Sequence, residues 1–483
     1  VRLIDINSNT IDLKQYSGVT DNSKDVVSGG IFVAVKGHLF DGHDYINEAI
    51  ASGAGLIIID ASKKYLLTSI SKASVSIVDD SRIALCYIAS QIYSKPDNIV
   101  AVTGTNGKSS VVYFFQQLLF LLGIDAASIG TLGIISGNDT IIDKSGSLTT
   151  LGALQLYKTL HKLKQDKKIN YVALEASSHG LIQHRMDYVP LKGAGFTSFT
   201  RDHLDYHKTM EEYLKAKFYL FETLLSSGSF ALINSEMEIL APLLKICNER
   251  GIRALTYGHG GNFLRIKSIK YSDNNAFNVE IAAAAQTYQF VSDFLGRFQI
   301  YNILCAIGFL LELGFNIEKI LPLIEKLSDV PGRMQRVASS NVYIDYAHTP
   351  DALENALNSI KEFISHRKKL GKVIVVFGCG GDRDKGKRFE MGKIASNIAD
   401  IVIVTDDNPR SEDASSIRKE ILRGCPKAKE VPDRKEAIKY AIENSKPTDI
   451  ILLAGKGHEQ YQIIVDKSME FDEAELARKY LNL

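Results

Sequence analysis

Residues 98–110 read NIVAVTGTNGKSS, and the parsing of that stretch decides the fold. Ile99 to Val102 make a short unbroken apolar run, the pattern of a strand buried on both faces. Two glycines follow, and from Ser109 to about Leu122 the apolar run is long enough for a helix. A strand, a glycine-containing turn and a helix in that order aim backbone N–H groups and a positive helix end at one point, which attracts phosphate. Lys108 adds a point charge for the β and γ phosphates of a nucleotide, and Ser109 a hydroxyl for Mg²⁺. The Walker A pattern, however, has a glycine five residues ahead of the Gly-Lys pair, where this chain has Val102. The loop is two residues short, and Gly-Lys-Ser by itself also fits an ordinary turn.

Outward from this loop, short β-rich runs alternate with helical patterns through most of the chain, which predicts α/β architecture with mainly parallel sheets. Three blocks separate: 1–94, 95–330 and 331–483. The first carries IFVAVKG, LIIID and VSIVDD and closes on a helix stopped by Pro96. The second runs through YVALEAS, GAGFTSF and FALINS, a helix from Met210 to Leu225, three further β-rich runs, and helices after Gly296. VPG interrupts the pattern near Asp329 to Gly332, and the third block then repeats the rhythm from VYIDYAH to DIILLAG. The fold expected is a smaller N-terminal α/β domain, a central P-loop-type, mainly parallel sheet flanked by helices, and a C-terminal Rossmann-like α/β domain. Gly, Asp and His cluster after the last strands, where doubly wound sheets bind ligands, although such residues also simply make turns.

The 483 residues exceed one hydrophobic core, and 57 Lys plus Arg nearly cancel 56 Asp plus Glu. That balance argues against nucleic acid as a partner and against an anionic membrane surface. Val111 to Leu122 is too short to span a bilayer and the N-terminus lacks a signal-peptide layout, so a cytoplasmic chain with no membrane insertion is expected, and a monomer. The five cysteines are scattered without CxxC spacing and read as buried small apolar residues.

The loop gains meaning from the residues on the strands beside it. Glu175 ends the apolar run YVALE, where a carboxylate is costly unless a charge or metal meets it; an exposed strand-end acid is the plainer reading. TRDHLDYH packs Asp202, His203, Asp205 and His207 into a few residues, suited to Mg²⁺ or substrate orientation, although Mg²⁺ prefers oxygen. Lys217 shares a helix face with Tyr213 and Phe221, and its stem could simply snorkel along that face.

Taken in order, GTNGKSS, LEASSHGLIQHR, RDHLDYH and YLKAK resemble the central domain of the Mur ligases, ATP-dependent enzymes that add amino acids to the peptidoglycan precursor. Folylpolyglutamate synthetases share the loop and fold. VYIDYAHTPDAL, GCGGDRDKGKR, TDDNPR and AGKGHEQYQI are similar to the MurE branch, and the resemblance runs from about Asn22 to Ile464. It implies a ligase reaction: a substrate carboxylate attacks the γ-phosphoryl of ATP, and an amine then attacks the acyl phosphate. It further implies that Gly104, Thr105, Asn106, Gly107, Lys108, Ser109 and Ser110 hold ATP, together with Asn302, Arg333, Asp345 and His348, although Asn302 and Asp345 could also cap turns. Lys108, Glu175, His203 and Lys217 would be catalytic. Ser109, Glu175, His203 and Lys217, the last as an N6-carboxylysine carbamate, would hold Mg²⁺.

The resemblance also assigns the substrates. NSKDVVSGGIFVAVKGHLFDGHDYI is similar to a UDP-binding segment, which points to Ser23 and to His38, Leu39 and Phe40. Thr149, Thr150, Ser177, Gln183 and Arg185 match positions that hold the sugar and peptide of UDP-N-acetylmuramoyl-L-alanyl-D-glutamate; on an extended segment Gln183 and Arg185 would face one side. Leu148 departs from the asparagine usual there. DDNPR resembles the signature of enzymes adding meso-diaminopimelate rather than L-lysine. Arg383, Asp407, Asn408, Pro409, Arg410, Gly455 and Glu459 would form that site, with Arg410 and Arg383 on the distal carboxylate and Glu459 and Gly455 on the distal amine. The rivals are a lysine-adding ligase and, from another class, a P-loop kinase or nucleotide switch.

Overall fold

In the computed structural model the described residues are 10–37, 40–70, 72–137, 140–143, 148–367, 370–465 and 467–483. Three α/β sheets carry most of the chain, and a small antiparallel pair, Tyr461–Ile464 with Lys467–Glu470, stands apart from them. The first is a four-stranded parallel sheet of Val19–Thr20, Ile31–Val33, Leu56–Asp60 and Ser74–Val78, in that order. A helix at Ser81–Ile92, capped by the Asp80 carboxylate on the N–H groups of Arg82 and Ile83, leads out of it.

The central sheet has eleven strands. Near its middle lies β1 (Asn98–Thr103), paired in parallel with β2 (Tyr171–Glu175) on one side and β3 (Leu191–Phe196) on the other. Residues 99–102 are fully buried, as an apolar run covered by helices on both faces should be. The strand Ala126–Gly130 lies beyond β2, so the chain leaves β1, crosses over one strand, and creates the crevice where open parallel sheets bind ligands. Antiparallel strands extend both edges: Gly133–Ser136 and Thr140–Asp143 at one, Phe277–Ala283 and Gln286–Ser292 at the other.

The turn after β1 delivers α1 (Lys108–Leu121), whose cap Gly107 has φ +90°. A Cβ there would stand 2.5 Å from Asn302 Oδ1, so both conformation and space demand glycine. Next come the short α2 (Ser178–Ile182) and α3 (Met210–Tyr219). The expected helix to Leu225 instead ends in a π-helical turn at Leu220–Leu224, which carries Leu220, Phe221 and Leu225 into the core. The long α4 (Arg297–Glu312) packs fully buried residues, among them Ile303, Leu304 and Ile307, into the same core cluster as Val111, Phe114 and Leu118 of α1.

The third sheet orders Gln335–Arg336, Val342–Asp345, Ile450–Ala454, Val373–Phe377, Ile401–Val404 and Lys429–Glu430, parallel except at its first pair. Two of its helices matter below: α5 (Pro350–His366), capped by Thr349, and α6 (Gly386–Ile398). The expected α/β class and mainly parallel central sheet are therefore what the chain adopts. All five cysteines are free and buried. Among the described residues no helix is long and apolar enough to cross a membrane.

Candidate active site

Two lysines converge under the loop after β1. Lys108 Nζ donates to the carbonyls of Gly104 at 2.9 Å and Thr105 at 2.8 Å, and Lys217 Nζ donates to the same Gly104 carbonyl at 2.8 Å. Lys217 is 1% exposed and sits 4.4 Å above the Tyr213 ring. Its stem does not snorkel to solvent, because the helix face it shares with Tyr213 points inward. Burial and then the neighbouring Lys108 charge push the Lys217 pKa well down, and burial lowers that of Lys108.

Glu175 ends β2 only 2% exposed, which removes the reading of a solvent-facing strand-end acid. Its Oε1 accepts the Thr131 N–H at 2.8 Å, and the Thr131 hydroxyl lies 3.1 Å from both Glu175 Oε2 and Thr149 Oγ1. The carboxylate lies against Gly130: a Cβ there would stand 2.1 Å from Oε1. His203 adopts φ +55° at the head of a short helix, with Nε2 3.5 Å from Asp202 Oδ2; burial lowers its pKa to about 3 and keeps the ring neutral.

The opposite wall comes from the third sheet. Arg333 Nη2 donates to Ser109 Oγ at 3.1 Å and its guanidinium stacks 4.5 Å over the Tyr346 ring. Asn302 Nδ2 donates to Gln299 Oε1 at 2.9 Å. Asp345 Oδ2 accepts the Met334 N–H at 2.6 Å, and burial pushes its pKa up to about 6 against the lowering effect of Arg333. His348 Nδ1 lies 2.8 Å from the Tyr346 carbonyl. Asp351 Oδ2 accepts from Asn106 Nδ2 and Thr200 Oγ1, each at 3.2 Å, and so joins α5 to the loop. These walls enclose a cavity of about 570 Å³ lined by Thr105 to Ser110, Glu175, His203, Asn302, Arg333, Asp345 and His348. A second cleft of about 770 Å³, lined by Asp293, Asp329, Arg336 and Arg367 among others, contains none of the expected residues.

The other expected residues form separate groups. Thr150 Oγ1 donates to the Glu175 carbonyl at 2.8 Å and lies 3.0 Å from Ser177 Oγ. Arg185 donates to the Thr150 carbonyl at 2.6 Å and to Gln183 Oε1 at 2.6 Å. Residues 183–185 are not extended, because His184 takes φ +55° after α2; the two side chains meet through that turn rather than by strand alternation. Leu148 is 42% exposed. Ser23 donates to Glu48 Oε2 at 2.6 Å and Phe40 is exposed, while His38 and Leu39 lie outside the described residues.

At the C-terminal group, Arg410 takes φ +52° and its Nη1 donates to the Gly381 carbonyl at 2.8 Å. Arg410 Nη1 and Arg383 Cγ both flank Gly380, at 2.9 and 3.8 Å from where a Cβ would stand. Asn408 Nδ2 donates to Glu459 Oε2 at 2.8 Å, and the buried Lys456 Nζ donates to Asn408 Oδ1 and Glu459 Oε2 at 3.1 and 3.2 Å. Burial raises the Glu459 pKa while the Lys456 charge lowers it. Gly455 has φ +113° beside Asp407 Oδ2, and Pro409 is buried with its carbonyl against Gly381. The Tyr346 ring links this group to the cavity, lying 5.2 Å from the His458 ring and under Arg333. Thr131, Tyr346, Asp351 and Lys456 are contributors that the sequence reading did not single out.

Family models match three consecutive segments: "Mur ligase family, catalytic domain" over residues 15–98, "Mur ligase middle domain" over 102–310, and "Mur ligase, glutamate ligase domain" over 332–457. A UDP-N-acetylmuramoyl-L-alanyl-D-glutamate–2,6-diaminopimelate ligase of Rickettsia typhi is 44% identical over 472 residues, covering 97% of this chain and 94% of that protein. The chain belongs to the Mur ligase family. A ligase of the same description from Rickettsia prowazekii is also 44% identical, covering 97% of this chain and 96% of that protein. A solved structure of a UDP-N-acetylmuramoyl-L-alanyl-D-glutamate–2,6-diaminopimelate ligase superposes with a TM-score of 0.68 at 31% identity, over 97% of this chain and 95% of that one. The Mur ligase fold thus extends over all three sheets.

Proposed function

We propose that this Mur ligase joins meso-diaminopimelate to UDP-N-acetylmuramoyl-L-alanyl-D-glutamate at the expense of ATP, releasing ADP and phosphate in peptidoglycan precursor synthesis. The names of its 44% identical relatives support both substrates. The single observation that carries the acceptor is the pair Arg383 and Arg410 flanking Gly380, next to the Asn408–Glu459–Lys456 cluster. The Arg410 guanidinium there suits a distal carboxylate, with the Arg383 stem beside it, and Glu459 suits an amine. The proposed division is 1–94 for the UDP moiety, 95–330 for ATP and 331–483 for the amino acid, in a monomeric cytoplasmic enzyme.

The reaction runs in two steps. The D-glutamyl carboxylate attacks the γ-phosphorus and ADP leaves, giving an acyl phosphate; the amine then attacks the acyl carbon, loses a proton, and phosphate leaves. Lys108, Arg333 and the N–H groups at the head of α1 bind and orient the phosphates, which is most of what phosphoryl transfer asks of a protein. Thr131 fixes Glu175, and Asn106 with Asp351 closes the nucleotide wall.

Ser109, Glu175, His203 and a carbamate on Lys217 would hold Mg²⁺, which when bound neutralises charge on the reacting oxygens. The residues fit that role. Among the described residues no three His, Cys, Asp or Glu side chains gather into a metal-binding group, so an extra oxygen donor is needed. Lys217 can supply one, because only a neutral amine has the lone pair to add CO₂, and burial with the Lys108 charge favours that neutral form. Carbamylation also places an anion beside the Lys108 cation.

The test is phosphate release from ATP with and without each substrate. Turnover should require both, and kcat/KM should favour meso-diaminopimelate over L-lysine by at least about a hundredfold, because L-lysine lacks the distal carboxylate that Arg410 and Arg383 would pair with. Arg410→Ala should lower kcat/KM for meso-diaminopimelate by about that factor and narrow the preference. Equal kcat/KM for the two amino acids, or ATP hydrolysis indifferent to both substrates, refutes the assignment.

A further inference from the structure

Arg201 stands beside Asp202 and His203, yet nothing in the proposed chemistry uses it. Its guanidinium points across the seam between the central and third sheets: Nη2 is 3.6 Å from Asp384 Oδ2, and Nη1 is 3.6 Å from Glu390 Oε1. The two acids sit on different features. Asp384 belongs to the loop before α6, where its Oδ1 accepts the Gly386 N–H at 2.8 Å, and Glu390 lies on α6 itself. One cation is thus gripped from two points of the opposite domain. Another link across the same seam is made by Asp351, which takes Asn106 and Thr200.

All three side chains are partly exposed, at 49% for Arg201, 29% for Asp384 and 47% for Glu390, so these pairs add little to the stability of the fold. Their placement gives them another effect. Arg201 is two residues from His203 at the phosphate site, and Asp384 adjoins Arg383 at the amino-acid site. An ion pair between these segments fixes the distance over which the acceptor amine must reach the activated carboxyl, a distance to which bimolecular steps are acutely sensitive.

We propose that Arg201, with Asp384 and Glu390, is an electrostatic latch: a positioning residue that seats the loop 380–386 against the phosphate site. The proposal rests on the preceding reading only for the identity of the acceptor. Arg201→Glu should raise KM for meso-diaminopimelate roughly tenfold while KM for ATP stays within about twofold, since the lost contact orders the acceptor side. Adding Glu390→Lys, which leaves the Asp384 contact to Gly386 intact, should restore most of the loss. The gap between wild type and Arg201→Glu should close near 1 M salt, where the Debye length falls to about 3 Å.

Small-angle scattering of the full chain with Mg²⁺ and a non-hydrolysable ATP analogue gives an independent reading. Arg201→Glu should show a larger radius of gyration than wild type, and the double variant should return to the wild-type value. An Arg201→Glu protein with unchanged scattering overturns the latch, as does a defect that Glu390→Lys fails to restore, which would mark a purely structural role. If wild type fails to use meso-diaminopimelate, the substrate assignment falls, while the scattering comparison still decides the latch.

Discussion

Replacing Gly130 by alanine tests whether the position of Glu175 matters. Gly130 has no positive φ, so its backbone accepts alanine without strain. The new methyl carbon, however, would stand 2.1 Å from Glu175 Oε1 and 2.5 Å from its Cγ and Cδ, far inside van der Waals contact. The carboxylate must therefore leave the Thr131 N–H and hydroxyl that hold it. Hydrogen bonds to a charged group contribute about 1.5–3 kcal/mol each, and crowding a packed site costs about 1–3 kcal/mol. Part of this is regained, because the displaced carboxylate can turn into the neighbouring cavity, leaving a net loss of about 2 kcal/mol. In a domain of this size that lowers Tm by roughly 4–8 °C. Movement of a reacting-site carboxylate by about 1 Å costs on the order of a hundredfold in turnover. Thermal melting and substrate-dependent phosphate release measure the two effects. Gly152→Ala is the control: no atom lies within 4 Å of its Cβ position, and the weaker helix cap is nearly offset by the stiffer unfolded chain. Wild-type turnover and Tm in Gly130→Ala would refute the claim that Glu175 must sit where Thr131 holds it.

Lys217→Ala should abolish phosphate release, and excess bicarbonate should not rescue it; a ¹³C-bicarbonate-derived carbamate signal present in wild type should vanish in the variant. Turnover near wild type would remove the carbamate from the mechanism. Asp345 gives a pH dependence whose sign follows from burial: its folded pKa of about 6 lies above the unfolded value near 3.9, so the folded chain holds that proton more tightly. Protonation as pH falls from about 6 to about 4 favours the folded state, and ionisation above 6 works against it. The Tm of Asp345→Asn relative to wild type should therefore be higher at about pH 7 than at about pH 4, and a flat or inverted difference would contradict it.

The strand, loop and helix around Lys108 were legible because chemistry and periodicity coincide there: an apolar run stops at a glycine, and a cation begins the next helix. Gln183 and Arg185 show the limit of periodicity, since the left-handed His184 makes a turn where alternation assumes a strand. Lys217 illustrates another limit. Its helix face was legible, but its burial depends on Tyr213 and on the Gly104 carbonyl lying more than a hundred residues earlier. Thr131 carried no signal at all, because threonine in a turn is common and its partner Glu175 lies on another strand. Asp351 and Arg201 were invisible for a related reason: each meets its partners only across a seam between domains, and local sequence does not encode docking.

The joining of Asn106 to Asp351, 245 residues later, and of Ser109 to Arg333, 224 residues later, has a consequence during synthesis. At translation rates of about 5–20 residues per second, roughly 10–50 s separate the emergence of the phosphate loop from that of its facing wall. Throughout that interval the loop has no arginine to place opposite Ser109 and no carboxylate to place on Asn106. A chain interrupted before Arg333 therefore has neither of the groups that face the loop from the third sheet.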